Sequence, residues 1–365
     1  MLPAALPERE NRRISAQLMT AVREVIDSGR YIIGARLAEF EAAMARSVGT
    51  VYAVGVASGT DALTLAIQAA GLQPGDEVIT VSHTAGPTAA AILAADCTPV
   101  LVDVEPGSYC LDPEKLEMAL SSRTRAVLPV HLYGHPADME PIVAFAIKHG
   151  LVVIEDCAQA QGASYRGRPV GSIGDANCFS FYPTKNLGAL GDAGAVTCTD
   201  PALHEGLRQL RLYGWRTPQL VEMPGGRCSR LDELQAAILL VKLRHFAESL
   251  GERWRLAARY NTALAGLPVV LPSVAEGCSH AYNIYVIQAE DRDGLTETLR
   301  RHDILPGCHY PYAVHQQPGF AAARVPEPLA VTEKLVKRVL SLPMFPGLEV
   351  GEQERVVQAI RSHYG

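Results

Sequence analysis

The sequence predicts an α/β protein. A large unit carries a mostly parallel, mixed seven-stranded sheet flanked by helices, and a smaller C-terminal α+β unit follows it. Three observations lead there. Seven short apolar runs, "VYAVGVAS", "EVITVS", "TPVLVDV", "TRAVLPVHL", "LVVIEDC", "NCFSF" and "AVTCT", recur between residues 50 and 200. Runs nearly continuous in Val, Ile and Leu belong to strands buried on both faces, as in a parallel sheet covered by helices. Helix-length segments separate several of the runs, and the pattern changes after Pro201.

The helical segments are "GTDALTLAIQAAGL", "TAAAILAAD", "DPEKLEMALSS" and "MEPIVAFAIKHG". No long helix separates the last two runs, so the sheet is expected to be mixed. "PALHEGLRQLRLYGW" reads as a helix, and "RLDELQAAILLVKLRHFAESLGERWRLAARYNTALAGL" as one long enough to bend or to bridge two units. "HAYNIYVIQAE", "RDGLTETLRRHDI", "VTEKLVKRVLSLP" and "EQERVVQAIRSHYG" make the final α+β pattern. The expected division is 1–245, with the N-terminal segment in the large unit, and 246–365.

Hydrophobic residues make up 48% and charged residues 20% of the 365, as in globular enzymes. A net charge of −6 argues against nucleic acid or an anionic membrane as partner. No secretory leader and no membrane span are read from the sequence, so the expected location is cytoplasmic. The 8 cysteines are scattered without a CxxC pair, which suggests reduced, mostly buried thiols and no metal site.

Polar residues at the ends of three apolar runs are the candidates for chemistry. In "SGTDAL", Ser58 and Gly59 follow a strand and Thr60 and Asp61 open a helix whose free N–H groups suit a phosphate, with Gly59 letting it approach and Thr60 adding a hydroxyl; an ordinary cap would use the same residue types. Asp156 ends "LVVIED", where a carboxylate can hold the proton of a ring nitrogen, or can cap a turn. Gln159 follows one turn later, able to bond a ring oxygen or to face solvent. Ser180 and Lys185 lie in "FSFYPTKNLGALGDAGA". The serine can join the phosphate cradle. The lysine can bond an aldehyde if its amine is kept partly neutral, or can be a surface lysine in a turn. Gly188, Gly191 and Gly194 are expected to keep side chains away from a bound group. A phosphate cradle, an acid for a pyridine nitrogen and an amine for an aldehyde together specify pyridoxal 5′-phosphate (PLP).

These stretches, with "SGRYIIGARLAEFE", "GDEVIT", "PVHLYGHPADM", "SRLDELQAAIL" and "CHYPYAVHQQPGF", resemble the DegT/DnrJ/EryC1/StrS family of sugar aminotransferases along nearly the whole chain. The resemblance implies the fold type I of PLP-dependent transferases. It makes Lys185 the Schiff-base lysine, Asp156 the partner of the pyridinium nitrogen, Gln159 a neighbour of the ring hydroxyl, and Gly59, Thr60 and Ser180 the phosphate ligands. It also implies a cytoplasmic homodimer whose sites are completed across the interface, with glutamate as amino donor and a nucleotide-linked keto-deoxysugar as acceptor. "LRLYGWRTPQ" and "HYPYAVHQQPGF" look most like members acting at C-3. Tyr213, Arg216, His309, Tyr310 and His315 are then candidate substrate contacts, and Arg211, Arg216, Arg227 and Arg230 the supply of charge for a diphosphate.

Two positions depart from the family. Where an aromatic residue usually stacks on the cofactor ring this chain has Ala85, so His83 is the nearest candidate ring, either stacking in its place or serving as a buried core histidine. Where an asparagine usually reaches the neighbouring subunit's phosphate it has Cys228, preceded by Arg227, which can replace it with a charge-assisted bond or point at solvent. Alternatives to the keto-sugar reaction are amination of a cyclitol ketone in antibiotic biosynthesis and a non-catalytic, sugar-nucleotide-binding regulator of the same fold.

Overall fold

The seven apolar runs form one sheet in the computed structural model, which describes residues 1–365. The strands are β1 (Tyr52–Val56), β2 (Glu77–Val81), β3 (Thr98–Val102), β4 (Thr124–Val127), β5 (Val152–Asp156), β6 (Ala176–Ser180) and β7 (Gly194–Cys198). Their spatial order is β1-β7-β6-β5-β4-β2-β3. Only β7 runs antiparallel to its neighbours. The missing helix between β6 and β7 explains this, because a short connection can only return antiparallel. The pairing sets Asp156 beside Cys178, and Ser180 beside Gly194 and thereby Val56. The carboxyl ends of β1, β5 and β6 and the start of β7 therefore share one edge, where open α/β sheets bind ligands.

Helix α1 (Gly59–Ala69) follows β1 at that edge, and Ser58 caps it by accepting from the Asp61 N–H at 3.1 Å. Helix α2 (Gly86–Ala94) follows β2. Leu63, Ala66, Ile67, Ala91 and Ile92 bury their side chains in the main core with the sheet residues Val54, Ile79, Val100 and Ile154. The Leu, Ile and Val side chains among them each contribute about 1.5–3 kcal/mol through burial.

The long helical pattern is one continuous helix, α3 (Glu233–Leu264), capped by Asp232 through the Gln235 N–H at 2.8 Å. Its 32 residues span about 48 Å. Ala236 and Leu239 near its start pack with Phe40 and Phe179. Leu256, Tyr260 and Leu264 near its end pack with Tyr285, Leu295, Leu340 and Ile360 of the C-terminal α+β region. The expected boundary at 245 thus falls inside a helix shared by both cores. Glu233 fixes the start of α3 to the N-terminal region: its buried carboxylate accepts from the backbone N–H groups of Gly34 (2.8 Å), Arg36 (2.9 Å) and Leu37 (3.0 Å). It supplies the negative group that the helix Ala35–Val48 lacks at its own start. A Cβ on Gly34 would lie 2.5 Å from this carboxylate, so a side chain there would displace the Glu233 head from its backbone partners.

The fold departs from the expectations in three places. The chain's first residues pack with the C-terminal region: Leu2 pairs with Ile304 and is buried in that core, because its side chain completes the apolar cluster. "PALHEGLRQLRLYGW" stays helical only over Pro201–Leu210. Tyr213 and Gly214 take positive φ (60° and 78°), and a Cβ on Gly214 would meet the Met223 carbonyl oxygen at 1.9 Å. "DPEKLEMALSS" yields a 3-10 turn, Pro113–Lys115, and a single short turn of α-helix, Leu116–Ala119.

The cysteines are free, and five are buried. Cys157 lies close to His131 and Glu155 on the buried face of β5, but the imidazole is spoken for. Its Nε2 bonds Glu155 at 2.9 Å while its Nδ1 accepts from the Ala137 N–H at 2.9 Å. Glu155 also accepts from the N–H groups of Ile173 (2.7 Å), Gly174 (2.6 Å) and Gly171 (3.1 Å), so this cluster anchors the loop before β6.

Candidate active site

At the shared strand edge lies a cavity of about 250 Å³. Six of the residues singled out from the sequence line it: Gly59, Thr60, Asp156, Gln159, Ser180 and Lys185. Ala85, Thr88, Ala158 and Tyr182 complete much of the wall.

Lys185 enters from the loop after β6. The turn is closed by its own N–H donating to the Tyr182 carbonyl at 2.8 Å and by Ala189 N–H donating to Phe181 at 2.7 Å. Gly188 and Gly194 serve the loop differently from the expectation: added Cβ atoms would meet the carbonyl oxygens of Pro183 and Ser58, each at 2.4 Å. They permit backbone against backbone rather than clearing space for a bound group. Gly191 abuts the Gln235 side chain at 3.2 Å. Desolvation lowers the Lys185 pKa to about 8, with the nearby Asp156 carboxylate acting in the opposite sense. A neutral amine is the nucleophilic form, so a fraction of Lys185 is ready near neutrality where an exposed lysine is not. In cofactor-free protein, acetylation of Lys185 by acetic anhydride should rise with pH through about 8 and then level off. Surface lysines should keep gaining reactivity to about pH 10. Peptide mapping by mass spectrometry reads both; identical profiles would remove the claimed desolvation.

Asp156 is 4% exposed. It accepts from the Thr88 hydroxyl at 2.9 Å and from the Ala158 N–H at 3.1 Å. Burial raises its pKa despite these bonds, so the carboxylate gains from a cationic partner placed in the cavity. Gln159 is held at both ends: its Oε1 accepts from the Tyr133 N–H at 2.7 Å, and its Nε2 donates to the Tyr310 hydroxyl at 2.7 Å.

Ser58, Gly59, Thr60 and Ser180 meet at the start of α1, an arrangement suited to an anion. Gly59 and Ser180 pack so closely that a Cβ on Gly59 would sit 2.6 Å from the Ser180 Cβ. This crowding, the open N–H groups of α1, the buried acid and the desolvated amine match the phosphate, ring nitrogen and aldehyde of PLP. Gly59→Ala should weaken PLP binding by about 10-fold or more while the far-UV circular dichroism is unchanged. An unaltered dissociation constant in an absorbance titration would contradict the cradle.

The structure corrects three site expectations. His83 does not line the cavity. It is fully buried, its Nε2 bonds the Tyr133 hydroxyl at 2.8 Å, and its ring meets that of Tyr133 edge-on. Tyr133 in turn donates to the His309 carbonyl oxygen, so His83 steadies the segment carrying His309 and Tyr310. His315 turns away as well: its Nδ1 is 2.7 Å from the Ser82 hydroxyl and its Nε2 3.5 Å from Glu333. Arg211 is buried against Glu41 and donates to the Gly55 carbonyl at 2.8 Å, which removes it from the charge available to a diphosphate.

Tyr213, Arg216, Arg227 and Cys228 lie on the 211–230 segment, outside the cavity lining. Arg227 reaches Asp61 at 3.8 Å, and Arg230 lies over the Tyr213 ring and within 2.9 Å of the exposed Cys228 sulfur. His309 and Tyr310 border a smaller compartment that also touches Gln159, Tyr182 and Lys185. Sequence reasoning missed Thr88, which orients Asp156, and Asn283, which lines that compartment. Thr88 is hidden in an alanine-rich helical run; its one signal is the only hydroxyl in "PTAAAILAA".

Comparison with known proteins agrees with this geometry. The family model described as the DegT/DnrJ/EryC1/StrS aminotransferase family matches residues 12–361. The chain is 46% identical to a dTDP-3-amino-3,4,6-trideoxy-alpha-D-glucose transaminase of Streptomyces venezuelae, over 95% of this chain and 92% of that protein. It is 42% identical to a protein of Geobacillus stearothermophilus named as a pleiotropic regulatory protein, over 96% and 95%. Among solved structures, that of S. venezuelae DesV in complex with a ketimine intermediate superposes with a TM-score of 0.96 at 44% identity, covering 99% of this chain and 98% of that one. The chain belongs to the DegT/DnrJ/EryC1/StrS aminotransferase family, and is a PLP-dependent sugar-nucleotide aminotransferase of fold type I.

Proposed function

We propose that the chain moves an amino group from glutamate to the C-3 ketone of a nucleotide-linked deoxysugar, in ping-pong order, as a homodimer. The observation that carries this reading is the convergence of the Lys185 amine, the Asp156 carboxylate and the Gly59–Ser180 cradle on one cavity. The name of the S. venezuelae relative supports the position aminated and the nucleotide class.

PLP supplies a carbonyl for amine exchange and a ring that takes up electrons when a proton leaves the donor's α-carbon. This chain's residues do the rest. Ser58, Gly59, Thr60 and Ser180 bind the phosphate at the start of α1. Asp156, set by Thr88 and Ala158, holds a proton on the ring nitrogen. Lys185 carries a proton away from one carbon and returns it to another, which a group titrating near 8 can do in both directions. The exposed Arg216 and the half-buried Arg227 and Arg230 remain as charge for a diphosphate. In this reading Tyr213, Arg227 and Cys228, on the 211–230 segment, are contacts made across the homodimer.

Purified protein with glutamate and a panel of 3-keto and 4-keto sugar nucleotides tests the reading. Turnover confined to 3-keto acceptors supports it. Turnover only with a cyclitol ketone or a 4-keto sugar overturns the acceptor assignment, and binding without turnover would favour a regulator.

A further inference from the structure

Beyond Lys185, on the side away from the phosphate cradle, lies a compartment of about 160 Å³. Part of its wall comes from the first residues of the chain: Ala4 and Ala5, in "LPAALP". The two prolines stiffen this stretch. Pro3 and Pro7 fix their own φ and bar the residues before them from helical backbone, and Leu6 accordingly has φ −146° and ψ 73°.

The segment is also pinned on both sides. Before the alanines, Leu2–Pro3 pairs with Ile304–Leu305, the Leu2 N–H donates to the Asp303 carbonyl at 2.7 Å, and the Leu2 side chain is buried. The Ala4 carbonyl itself accepts from the Met344 N–H at 3.0 Å. After them, the helix Pro7–Arg13 is tied down by Arg9. Its guanidinium donates to both carboxylate oxygens of Glu352, at 2.5 and 2.7 Å, and to the Gly347 carbonyl at 3.0 Å. Two alanines held between such anchors are a fixed part of the wall and not a loose end of chain.

We propose that Ala4 and Ala5 are specificity-determining residues, which set how large a group the acceptor sugar can carry beside its reacting carbon. That carbon must come to the Lys185 amine. In the proposed mechanism the phosphate and the ring take the cradle side of the lysine, so the atoms next to the carbon turn to the other side, into the compartment. The space is too small for a nucleotide diphosphate, which stays outside. Apart from Lys185 its lining carries no charge near neutrality, because burial and the nearby lysine hold the His309 pKa down to about 4. An uncharged edge of a sugar ring suits such a space better than the two carboxylates of glutamate. Methyl groups at positions 4 and 5 leave the space open. A branched side chain would enter it, and a rigid sugar ring cannot fold out of its way as a flexible donor can.

The inference rests on the aminotransferase reading, and the test separates the two. With the holoenzyme, the glutamate and keto-sugar half-reactions are followed singly, and binding of the aminosugar product is measured through the perturbation of the cofactor absorbance. The sugars compared differ only in the substituent on the carbon next to the ketone or amine: hydrogen, hydroxyl or acetamido. Ala4→Leu and Ala5→Leu are expected to raise the keto-sugar KM and weaken product binding by about 10-fold or more, most for the acetamido sugar, with a smaller change in the glutamate KM. Ala4→Gly and Ala5→Gly disturb the fold less and widen the space, and are expected to shift the preference toward the acetamido sugar. Unchanged discrimination among the three sugars in the variants that fold, or an equal loss in both half-reactions, overturns the wall. Absence of any glutamate half-reaction in the wild-type holoenzyme instead overturns the reading beneath it.

Discussion

Lys185→Ala should lose about 10³-fold or more in turnover while still binding PLP. General acid–base transfer by a positioned side chain contributes about 10²–10⁴-fold, and in the proposed mechanism one amine both anchors the cofactor and carries the proton. Binding should survive, because the cradle residues belong to α1 and β6 and do not depend on the lysine side chain. The variant should show PLP in an absorbance titration and fail to complete a cycle with glutamate and acceptor. Turnover within about 10-fold of wild type would remove Lys185 from the chemistry.

Asp156→Asn should lower turnover by about 10²–10³-fold, the scale for removing one preorganised electrostatic partner. The amide keeps the shape: its oxygen can accept from the Ala158 N–H, while its NH2 faces the Thr88 hydroxyl, which then accepts instead of donating. What it loses is the negative charge that, in the proposed mechanism, holds a proton on the ring nitrogen. The loss should therefore fall on kcat in both half-reactions, with PLP affinity reduced far less. A variant impaired only in KM would indicate a packing role. The carboxylate is buried and its pKa raised by desolvation, so without a cationic partner it gains a proton on acidification earlier than an exposed aspartate.

The sheet was readable because its strands are apolar almost without interruption, and because the missing helix between "NCFSF" and "AVTCT" forced β7 to turn back. The residues that line the cavity were readable where an apolar run ended: Asp156 closing β5, Ser180 closing β6, Gly59 and Thr60 after β1. What stayed hidden was set by contacts between distant segments. Thr88 reaches Asp156 across 68 residues of sequence, and Asn283 lies in an ordinary-looking strand approach. His83 and His315 looked like site rings but are used by the core and by a loop anchor. Arg211 looked like surface charge and is consumed by Glu41. In each case the residue type was visible in the sequence, while its partner was fixed only by tertiary packing.

The most direct measurement is borohydride reduction of the holoenzyme followed by peptide mapping, which makes the bond between cofactor and protein permanent. A pyridoxyl mass on the peptide containing Lys185, and on no other, is the predicted result. The label on a different lysine, such as the buried Lys242 of α3, or no label on a protein that nonetheless catalyses transamination, would contradict the account.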